Sequence, residues 1–267
     1  MKLVAILRVK NAMSVLRECL EKLSSLVDEI IILDNGSIDG TIEACREFNK
    51  VVKVILQDDT DNFYDGRDRT ILLNAAKARY PDWILCIDPD EVFEKHLTRD
   101  ILDKYMHSGY DRISFRMCHF WLSRKYCRFD RNWLLSTVRP GRYMWRNLES
   151  AYFEDIVIHS YLKGIDSKIY NSPFRIKHYG YINKPDMNRK IAVYRHVDPA
   201  HQNKYNTSDL NHKDSQEHIL RYPFVELNNR TANYAYVLFY KFLCETLLIA
   251  LRMKRKYLRK LKIFNTG

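Results

Sequence analysis

Three carboxylates stand within four positions of the sequence, in the stretch DPDE at residues 88 to 91. They directly follow the apolar run WILCI at 83 to 87, which has the length and composition of a buried β-strand. Asp88 and Asp90 point in roughly the same direction if the chain is extended there, because strand side chains alternate with period two. Two carboxylates this close are best tolerated beside a hard cation, and Mn²⁺ or Mg²⁺ accepts such oxygen ligands. The spacing therefore predicts a divalent metal site at the end of this strand.

The elements that must position these carboxylates repeat along the first hundred residues. Apolar runs with the length of β-strands occupy residues 3 to 7, 29 to 33, 51 to 56 and 83 to 87. Apolar residues at spacings of three and four predict helices over 13 to 27, around 42 to 48 and near 66 to 79. Such βα repeats predict an α/β fold with a mostly parallel central sheet flanked by helices.

Polar residues follow each of the four predicted strands at its carboxyl end. These clusters are Arg8, Lys10 and Asn11 after the first strand, then DNGSIDGT at 34 to 41, DDTD at 58 to 61 and DPDE at 88 to 91. In open parallel sheets ligands bind outside the carboxyl ends of the strands, where loops and helix N-termini converge. Four such clusters predict a ligand site at this edge.

The charge is distributed unevenly along the chain. Residues 1 to 110 carry 15 Lys and Arg against 20 Asp and Glu, and the remainder carries 29 against 13. A basic second half could meet nucleic acid, anionic lipid or a phosphate-bearing substrate, and composition does not choose among them. The six cysteines form no CxxC pair, which favours reduced core thiols and a cytoplasmic protein. The N-terminal stretch MKLVAILRVKN lacks the features of a secretory signal.

The second half is less regular than the first. Residues 112 to 122 alternate like a strand, 133 to 145 suggest a strand and a turn, and 185 to 197 predict a basic helix. The stretch from 234 to 262 holds an apolar core of about 17 residues, shorter than the roughly 20 that a spanning helix needs. It predicts a C-terminal amphipathic helix with a strongly basic end.

Two interpretations of this basic tail stay open. It has the composition of an in-plane anchor on an anionic membrane surface, and equally that of a helix packed on the core of the protein with a solvated basic end. No nucleic-acid partner is expected, because no recognised reading module accompanies the charge.

The first 95 residues resemble the nucleotide-binding half of a glycosyltransferase family 2 enzyme with the Rossmann-like GT-A fold. The motifs LRVKN, VDEIIILDNGSIDGT, GRDR and DWILCIDPDE carry the likeness, and HFWL, IHS and RIKHYGYINKPDMNRKIAVYRHVDP resemble a bacterial-type branch. The similarity covers roughly residues 2 to 200. It implies that 1–110 form the nucleotide-sugar-binding half of a GT-A domain, 111–200 its irregular acceptor-side and metal-completing half, and 201–267 a helical basic extension. One departure is Asn35, where an aspartate is frequent.

Carried over position by position, the resemblance assigns roles to individual residues. It implies donor binding by Arg8, Asn11, Asp34, Arg67, Arg69 and Asp88. It implies metal binding by Asp88, Asp90 and His178, with His159 as the second histidine candidate. A guanidinium fork matches phosphate oxygens, which supports the two arginines of GRDR. The competing interpretations are structural: a helix start in which these arginines pair with Asp65 and Asp68, a turn or cap for Asp34, and a buried structural histidine for His178.

The family usually inverts the anomeric centre by direct displacement, so a carboxylate must accept the proton of the acceptor hydroxyl. Asp155 is preferred for this role over Glu154, and Glu149 and Asp130 lie in the same region of the sequence. Each of them could equally be a plain surface carboxylate.

The resemblance as a whole implies a metal-dependent inverting glycosyltransferase with a nucleotide-diphosphate sugar as donor and a hydroxyl of a glycan or lipid-linked molecule as acceptor. It would work in the cytoplasm or at the cytoplasmic face of a membrane. Two alternatives remain. A haloacid dehalogenase-like phosphatase would use Asp88 as nucleophile and Asp90 as acid, although the order of the acidic motifs argues against it. A non-catalytic protein would bind a nucleotide sugar without turning it over.

Overall fold

The structure is a computed structural model that describes residues 1–57, 63–128, 140–197 and 221–223. Its strands are β1 (Leu3–Val9), β2 (Glu29–Asp34), β3 (Val51–Leu56), β4 (Trp83–Ile87), β5 (Glu91–Phe93), β6 (Arg112–Trp121), β7 (Tyr126–Arg128), β8 (Pro140–Arg146), β9 (Tyr152–Phe153), β10 (Leu162–Lys163), β11 (Ile169–Tyr181) and β12 (Arg221–Pro223). Its helices are α1 (Met13–Ser24), α2 (Thr41–Arg46), α3 (Asp65–Lys77), α4 (Arg99–Met106) and α5 (Lys184–Val197).

The first four strands form a parallel sheet, as the sequence predicts. β1 lies between β2 and β4 and is parallel to both, and β3 joins parallel to the outer side of β2. The residues of β4 are buried throughout, and those of β1 nearly so, because helices cover both faces of the sheet. α3 packs on β1 and β2, while α1 packs against β2 and β5. The carboxyl ends of β1, β2 and β4 consequently open on one edge.

The second half completes the sheet in mixed directions. β8 runs antiparallel between β4 and β6, and β7 and β12 extend the sheet beyond β6. β11 is parallel to β6 and antiparallel to the short β5. Since β5 follows the DPDE turn directly, β11 and β6 approach the carboxylates from the side opposite to β1 and β2.

A buried ion pair ties β5 to β11. Arg175 Nη2 lies 2.5 Å from Glu94 Oε1, and the backbone N–H of Arg175 donates to Glu94 Oε2 at 2.7 Å. The two side chains are 5% and 0% exposed. This pair fixes the strand that leaves the DPDE turn.

Some predicted boundaries move by a few residues. α1 ends at Ser24 instead of near Val27, because the chain leaves the helix to bond with β1: the backbone N–H of Leu3 donates to Asp28 Oδ2 at 2.7 Å. α2 ends at Arg46, so that Phe48 lies beyond it, and α3 covers Asp65–Lys77 instead of 66 to 79. The predicted basic helix is confirmed as α5.

Other predictions concern residues outside the described ranges. They are the DDTD cluster at 58 to 61, Asp130, the strand start at 133 to 139, Cys244, and the amphipathic segment at 234 to 262. The five cysteines that the structure does describe are buried and form no disulfide with one another: Cys19, Cys45, Cys86, Cys118 and Cys127. None of the helices within the described residues has the length and apolar character to cross a membrane.

Candidate functional site

The DPDE turn at the end of β4 is held by its own third carboxylate. Glu91 is fully buried, and its Oε2 accepts the backbone N–H of Asp88 at 3.0 Å, while the backbone N–H of Glu91 returns to the carbonyl of Asp88. The two aspartates differ in exposure, since the side chain of Asp88 is 25% exposed and that of Asp90 11%. The turn therefore has one partly exposed carboxylate, that of Asp88, and one buried carboxylate, that of Asp90.

The buried Asp90 is surrounded by positive groups from the second half of the chain. Its Oδ2 contacts the Lys190 ammonium of α5 and lies 3.5 Å from His178 Nε2 of β11. Burial alone would raise the pKa of the Asp90 carboxyl, but the charge of Lys190, followed by that of His178, holds it well below its usual range. Burial lowers the pKa of the Lys190 ammonium, but the negative charge of Asp90 acts against burial, and this pKa lies above its usual value. Both groups are thus charged at pH 7.

His178 is paired with a second histidine. It lies opposite His119 in the register of β11 and β6, and the two Nδ1 atoms are 2.9 Å apart. Burial, followed by the nearby charges of His178 and Lys190, lowers the pKa of His119 well below its usual range. His119 is therefore neutral at pH 7.

An arginine network links the start of α3 to Asp88. Arg69 Nε lies 2.8 Å from Asp65 Oδ1, and Arg69 Nη2 lies 3.2 Å from Asp88 Oδ1. Arg8 Nη1 lies 3.5 Å from both Asp65 and Asp68. Arg69 therefore links α3 to the DPDE turn. Its contact with Asp65 is also the pairing that the structural interpretation of this helix start predicts.

The start of α3 is closed by a loop from the second half. The backbone N–H groups of Asp65 and Gly66 donate to the carbonyls of Val157 and Ile156, each at 2.9 Å. A Cβ at Gly66 would lie 2.3 Å from the carbonyl oxygen of Glu154, so only glycine allows this approach. The helix N-terminus is thus satisfied internally.

The loops after β1 and β2 are interlocked. Asn11 Oδ1 accepts the backbone N–H of Ile38 at 2.9 Å, and Thr41 Oγ1 accepts that of Ala12 at 2.9 Å. Asp34 is 1% exposed, and its Oδ1 accepts two backbone N–H groups of the following turn. Its buried Oδ2 has no hydrogen-bond partner in the described part of the chain. An unsatisfied buried carboxylate oxygen is costly, which marks this position as one that a ligand can complete.

Two cavities meet at the carboxylate turn. Their volumes are about 550 and 370 Å³. Both are lined by Arg8, Phe63, Asp88, Asp90, Lys190 and Tyr194. The smaller cavity runs between the interlocked loops past Asn11 and Asn35, and the larger one runs along the sheet past Cys86 to Arg112 and Tyr143.

The turn also forms a group that could hold a metal ion. One ligand atom each from Asp90, Glu91 and His178 lie within 4.8 Å of one another, and all three residues are buried. Carboxylate oxygens with one imidazole nitrogen suit divalent cations such as Mn²⁺. The residues therefore fit a divalent cation, which would compete with Lys190 for Asp90 Oδ2. Among the three predicted ligands, Asp90 and His178 come together, whereas Asp88 turns towards Arg69.

Several predicted residues lie away from the cavities. Arg67 bonds to the neighbouring Asp68 at 3.0 Å, Glu154 pairs with Lys163 at 3.2 Å, and Asp155 is exposed and bonds to Tyr64. None of these three predicted residues belongs to the described lining of either cavity. His159 does line the larger cavity, beside the ring of Tyr194.

The sequence prediction did not include four residues that the fold brings to the site: Glu91 and His119 beside the metal candidates, Lys190 on Asp90, and Arg112 at the far end of the larger cavity. A signal existed for Lys190, because it precedes Ile191 and lies between Met187 and Tyr194 at helical spacing. Met187 and Ile191 are buried, so this face of α5 packs inward. The other three depend on which strands pair, which the sequence pattern does not reveal.

Comparison with known proteins identifies one family. The model of the family described as "Glycosyl transferase family 2" matches residues 5–151, more than half of the chain. Among curated proteins, a TPR repeat-containing protein of Synechococcus elongatus is 35% identical over 83 residues, which are 31% of this chain and 19% of that protein. The chain therefore spans about a fifth of the length of this relative.

Solved structures with low sequence identity resemble the chain. S. aureus TarS 1–349 in complex with UDP is 16% identical with a TM-score of 0.47, and the match covers 79% of this chain and 71% of that one. Glucosyl-3-phosphoglycerate synthase from Mycobacterium tuberculosis, in complex with Mn²⁺, UDP and glucosyl-3-phosphoglycerate, is 15% identical with a TM-score of 0.45 and covers 84% and 87%.

Proposed function

Because the chain belongs to glycosyl transferase family 2, we propose that it transfers a sugar from a nucleotide-diphosphate sugar to a hydroxyl of a glycan or lipid-linked acceptor, with inversion at the anomeric carbon and with a divalent cation, Mn²⁺ or Mg²⁺. One observation carries the proposal. The buried group of Asp90, Glu91 and His178 lies at the carboxyl edge of the parallel sheet, beside two cavities that meet there. One cavity would take the nucleotide and the other the sugar and the acceptor.

The smaller cavity suits the nucleoside part of the donor. It lies between the loops after β1 and β2, beside Asn11 and Asn35. The unpartnered Oδ2 of the neighbouring Asp34 would accept a hydrogen bond from a ribose hydroxyl or a base N–H, which offsets the cost of its burial. Asn11 supports this position indirectly, since its side chain braces the loop that follows Asp34.

The diphosphate would lie where the cavities meet. A divalent cation on Asp90, Glu91 and His178 would neutralise the charge that develops on the departing diphosphate. Arg8 and Lys190 line both cavities and bring two further positive charges to the same place. Asp88 and Arg69 complete the wall, and Arg69 acts there by holding Asp88. A contact from Arg67 to the phosphates or the base rests on the family resemblance alone, since Arg67 pairs with Asp68 outside the lining of both cavities.

Asp155 remains our proposal for the group that takes the proton of the acceptor hydroxyl, with Glu154 as the alternative. Asp155 precedes the loop from Ile158 to Lys163, which lines the larger cavity. Its bond to Tyr64 holds it outside that lining. The role therefore requires the loop to turn when the acceptor binds.

The wider setting is also part of the proposal. It includes a cytoplasmic site of action and, as one of the two interpretations of the basic tail, a peripheral membrane contact through residues 234–262, which lie outside the described residues. Membership in a glycosyltransferase family removes the support for a phosphatase. A protein that binds the donor without transfer remains the second candidate, and the experiment below separates it.

The test is thermal unfolding of the full chain with UDP, GDP, dTDP and CDP, each with and without Mn²⁺. A ligand that binds only the native state at about 100 times its dissociation constant adds roughly 2.7 kcal/mol of stability. We expect one nucleotide to stabilise the protein, and Mn²⁺ to increase the effect. Asp34→Asn should abolish the nucleotide effect, whereas Asp90→Asn should remove only the increment from Mn²⁺.

The exposed Asp166 provides a matched control, since Asp166→Asn should leave both effects intact. Failure of all four nucleotides to stabilise the wild-type chain would contradict the donor site. Stabilisation without sugar transfer or donor hydrolysis across a panel of acceptors would favour the non-catalytic candidate.

A further inference from the structure

Arg112 lies at the far end of the larger cavity from the metal candidates. It is the first residue of β6 and lies opposite Trp145 of β8, which in turn lies opposite Ile84 of β4. Residues directly opposite each other in neighbouring strands point to the same face of a sheet. Arg112 therefore shares a face with Cys86, two residues along β4 from Ile84, and all of these except Ile84 line the cavity.

The guanidinium of Arg112 has an incomplete set of partners. It lies over the ring of Tyr143, with 5.3 Å from Cζ to the ring centroid. Its Nε is buried and has no hydrogen-bond partner, and no ion pair of Arg112 with a carboxylate exists in the described part of the protein. A buried N–H of a charged group that lacks an acceptor is costly, so its retention calls for a ligand.

The other strong cations of the cavity are paired with acids. Arg8 and Arg69 pair with Asp65, Lys190 with Asp90, and Lys163 with Glu154. Even Arg146, on the next strand, is paired with Asp111. Among these cations, Arg112 differs in having no acid partner within the described part of the chain, and its planar fork matches carboxylate or phosphate oxygens.

The position of Arg112 separates it from the donor phosphates. It is level with Ile84, and Asp88 lies four residues further along β4, or roughly 13 Å at 3.3 Å per residue. Two strand spacings of about 4.8 Å separate the strands themselves. A diphosphate at Asp88 and Asp90 does not bridge this separation, whereas a transferred sugar followed by an acceptor molecule does.

We propose that Arg112 binds an anionic group of the acceptor, a carboxylate or a phosphate, at the end of the larger cavity. The inference rests on the proposed function and deepens it, because it restricts the acceptor to an acidic molecule. Tyr143 covers one face of the guanidinium, and Arg112 belongs to the lining of the larger cavity, from which the anion would reach it. The acceptor hydroxyl then points along the cavity towards the turn at Asp88.

The test follows the Nε–H resonance of Arg112 in the full chain labelled with ¹⁵N-arginine. Orthophosphate, acetate and chloride are titrated separately at constant ionic strength, and Arg112→Lys assigns the resonance by removing it. We expect a saturable shift of the Arg112 signal with phosphate, acetate or both, and none with chloride. A response to phosphate alone indicates a phosphorylated acceptor, and a response to acetate indicates a carboxylate.

The matched control is Arg146, whose Nε already bonds to Asp111 at 2.8 Å and should not respond. Calorimetry supplies the magnitude: Arg112→Gln should weaken anion binding about tenfold or more, as expected for a lost charge-assisted contact, and Arg146→Gln should leave it unchanged. Unaltered stabilisation by the nucleotide shows that Arg112→Gln is folded and that its donor site is intact.

Absence of a shift at Arg112, or an equal shift at Arg146, would overturn the proposal. These outcomes are independent of the donor experiment. A protein that no nucleotide stabilises, but whose Arg112 responds to phosphate, would retain the anion site and lose the glycosyl-transfer assignment. A protein that binds nucleotide, but whose Arg112 resonance does not shift with any anion, would retain the donor site and lose the anion site.

Discussion

The loops after β1 and β2 and the strands and helix of the second half support the same site by different means. In the first half, the loops after β1 and β2 hold each other through neutral contacts, such as Asn11 to Ile38 and Thr41 to Ala12. Arg175 and Lys190 of the second half reach the site through ion pairs with the buried carboxylates of Glu94 and Asp90. Loss of one partner has different costs in the two cases, because a neutral group is left unsatisfied in one and an uncompensated buried charge in the other.

The largest effect is expected at the buried pair between β5 and β11. Glu94→Gln removes the carboxylate charge that faces the guanidinium of Arg175, whose side chain is 5% exposed, and should lower the free energy of unfolding by about 3–5 kcal/mol. Urea unfolding followed by circular dichroism measures the loss.

The exposed pair of Arg17 and Glu47 is the control from the first half, since its side chains are 43% and 55% exposed. Glu47→Gln should hardly change the midpoint. Equal losses from the two substitutions would contradict the greater cost expected for a buried charge that loses its partner.

A smaller effect is expected where α3 of the first half meets the loop of the second. Gly66→Ala places a methyl group 2.3 Å from the carbonyl oxygen of Glu154, and neither backbone can yield easily. We expect a loss of about 1–3 kcal/mol, typical of overpacking, together with lower sugar transfer.

Gly180→Ala is the matched substitution at the carboxylate cluster. Its methyl group would also meet an atom at 2.3 Å, but that atom is Lys190 Nζ, the end of a flexible side chain. The variant should therefore melt closer to the wild type while its affinity for Mn²⁺ changes. A greater loss of stability from Gly180→Ala than from Gly66→Ala would refute this account of the two glycines.

The smallest effect concerns a surface network of the first half and depends on pH. The pKa of Glu29 is lowered to about 2. The hydrogen bond from Arg79 has the largest effect, burial acts against it, and the hydrogen bond from Lys2 lowers the pKa further. The unfolded value is about 4.3. Because the native pKa is the lower one, Glu29 contributes stability above pH ~4.3, and this contribution is lost as the pH falls towards 2.

The measurement compares the wild type with Glu29→Gln in urea from pH 6 to pH 3. The wild type should be the more stable at pH 6, and the difference should shrink steadily below pH ~4.3. A difference that stays constant with pH would show that the carboxylate charge is not responsible.

Much of the first half could be predicted from the sequence. Strands of continuous apolar residues and helices with regular spacing gave β1 to β4 and α1 to α3 within a few residues, and the family resemblance is confirmed by the match over 5–151. Local pattern suffices there, because the apolar periodicity of each strand and helix is present within its own segment of the sequence. Polar residues from the ends of β1, β2 and β4 line one cavity, as Asn11, Asn35 and Asp90 illustrate.

The second half could not be predicted in the same way. Glu91 resembled a third member of an acidic cluster, yet it is buried because β5 turns back to pair with β11. Lys190 resembled a solvated helix charge, and its role depends on α5 lying beside Asp90, a hundred residues earlier in the chain. The sequence did not mark Arg112 as a site residue, because its place in the larger cavity depends on the pairing of β6 with β8 and of β8 with β4. Such contacts arise from long-range pairing, which the local sequence pattern does not encode.

The contact between the two histidines has a consequence for proton placement. Only one hydrogen fits between the Nδ1 atoms of His119 and His178. Two arrangements are available to the pair when both rings are neutral. If His178 supplies the hydrogen, the lone pair on its Nε2 faces Asp90 and can bind a cation; if His119 supplies it, the Nε2 of His178 carries hydrogen and donates to Asp90 instead. Cation binding therefore favours the tautomer in which Nδ1 of His178 carries the hydrogen. His119, which would not contact the ion, has to accept that hydrogen for the ion to bind.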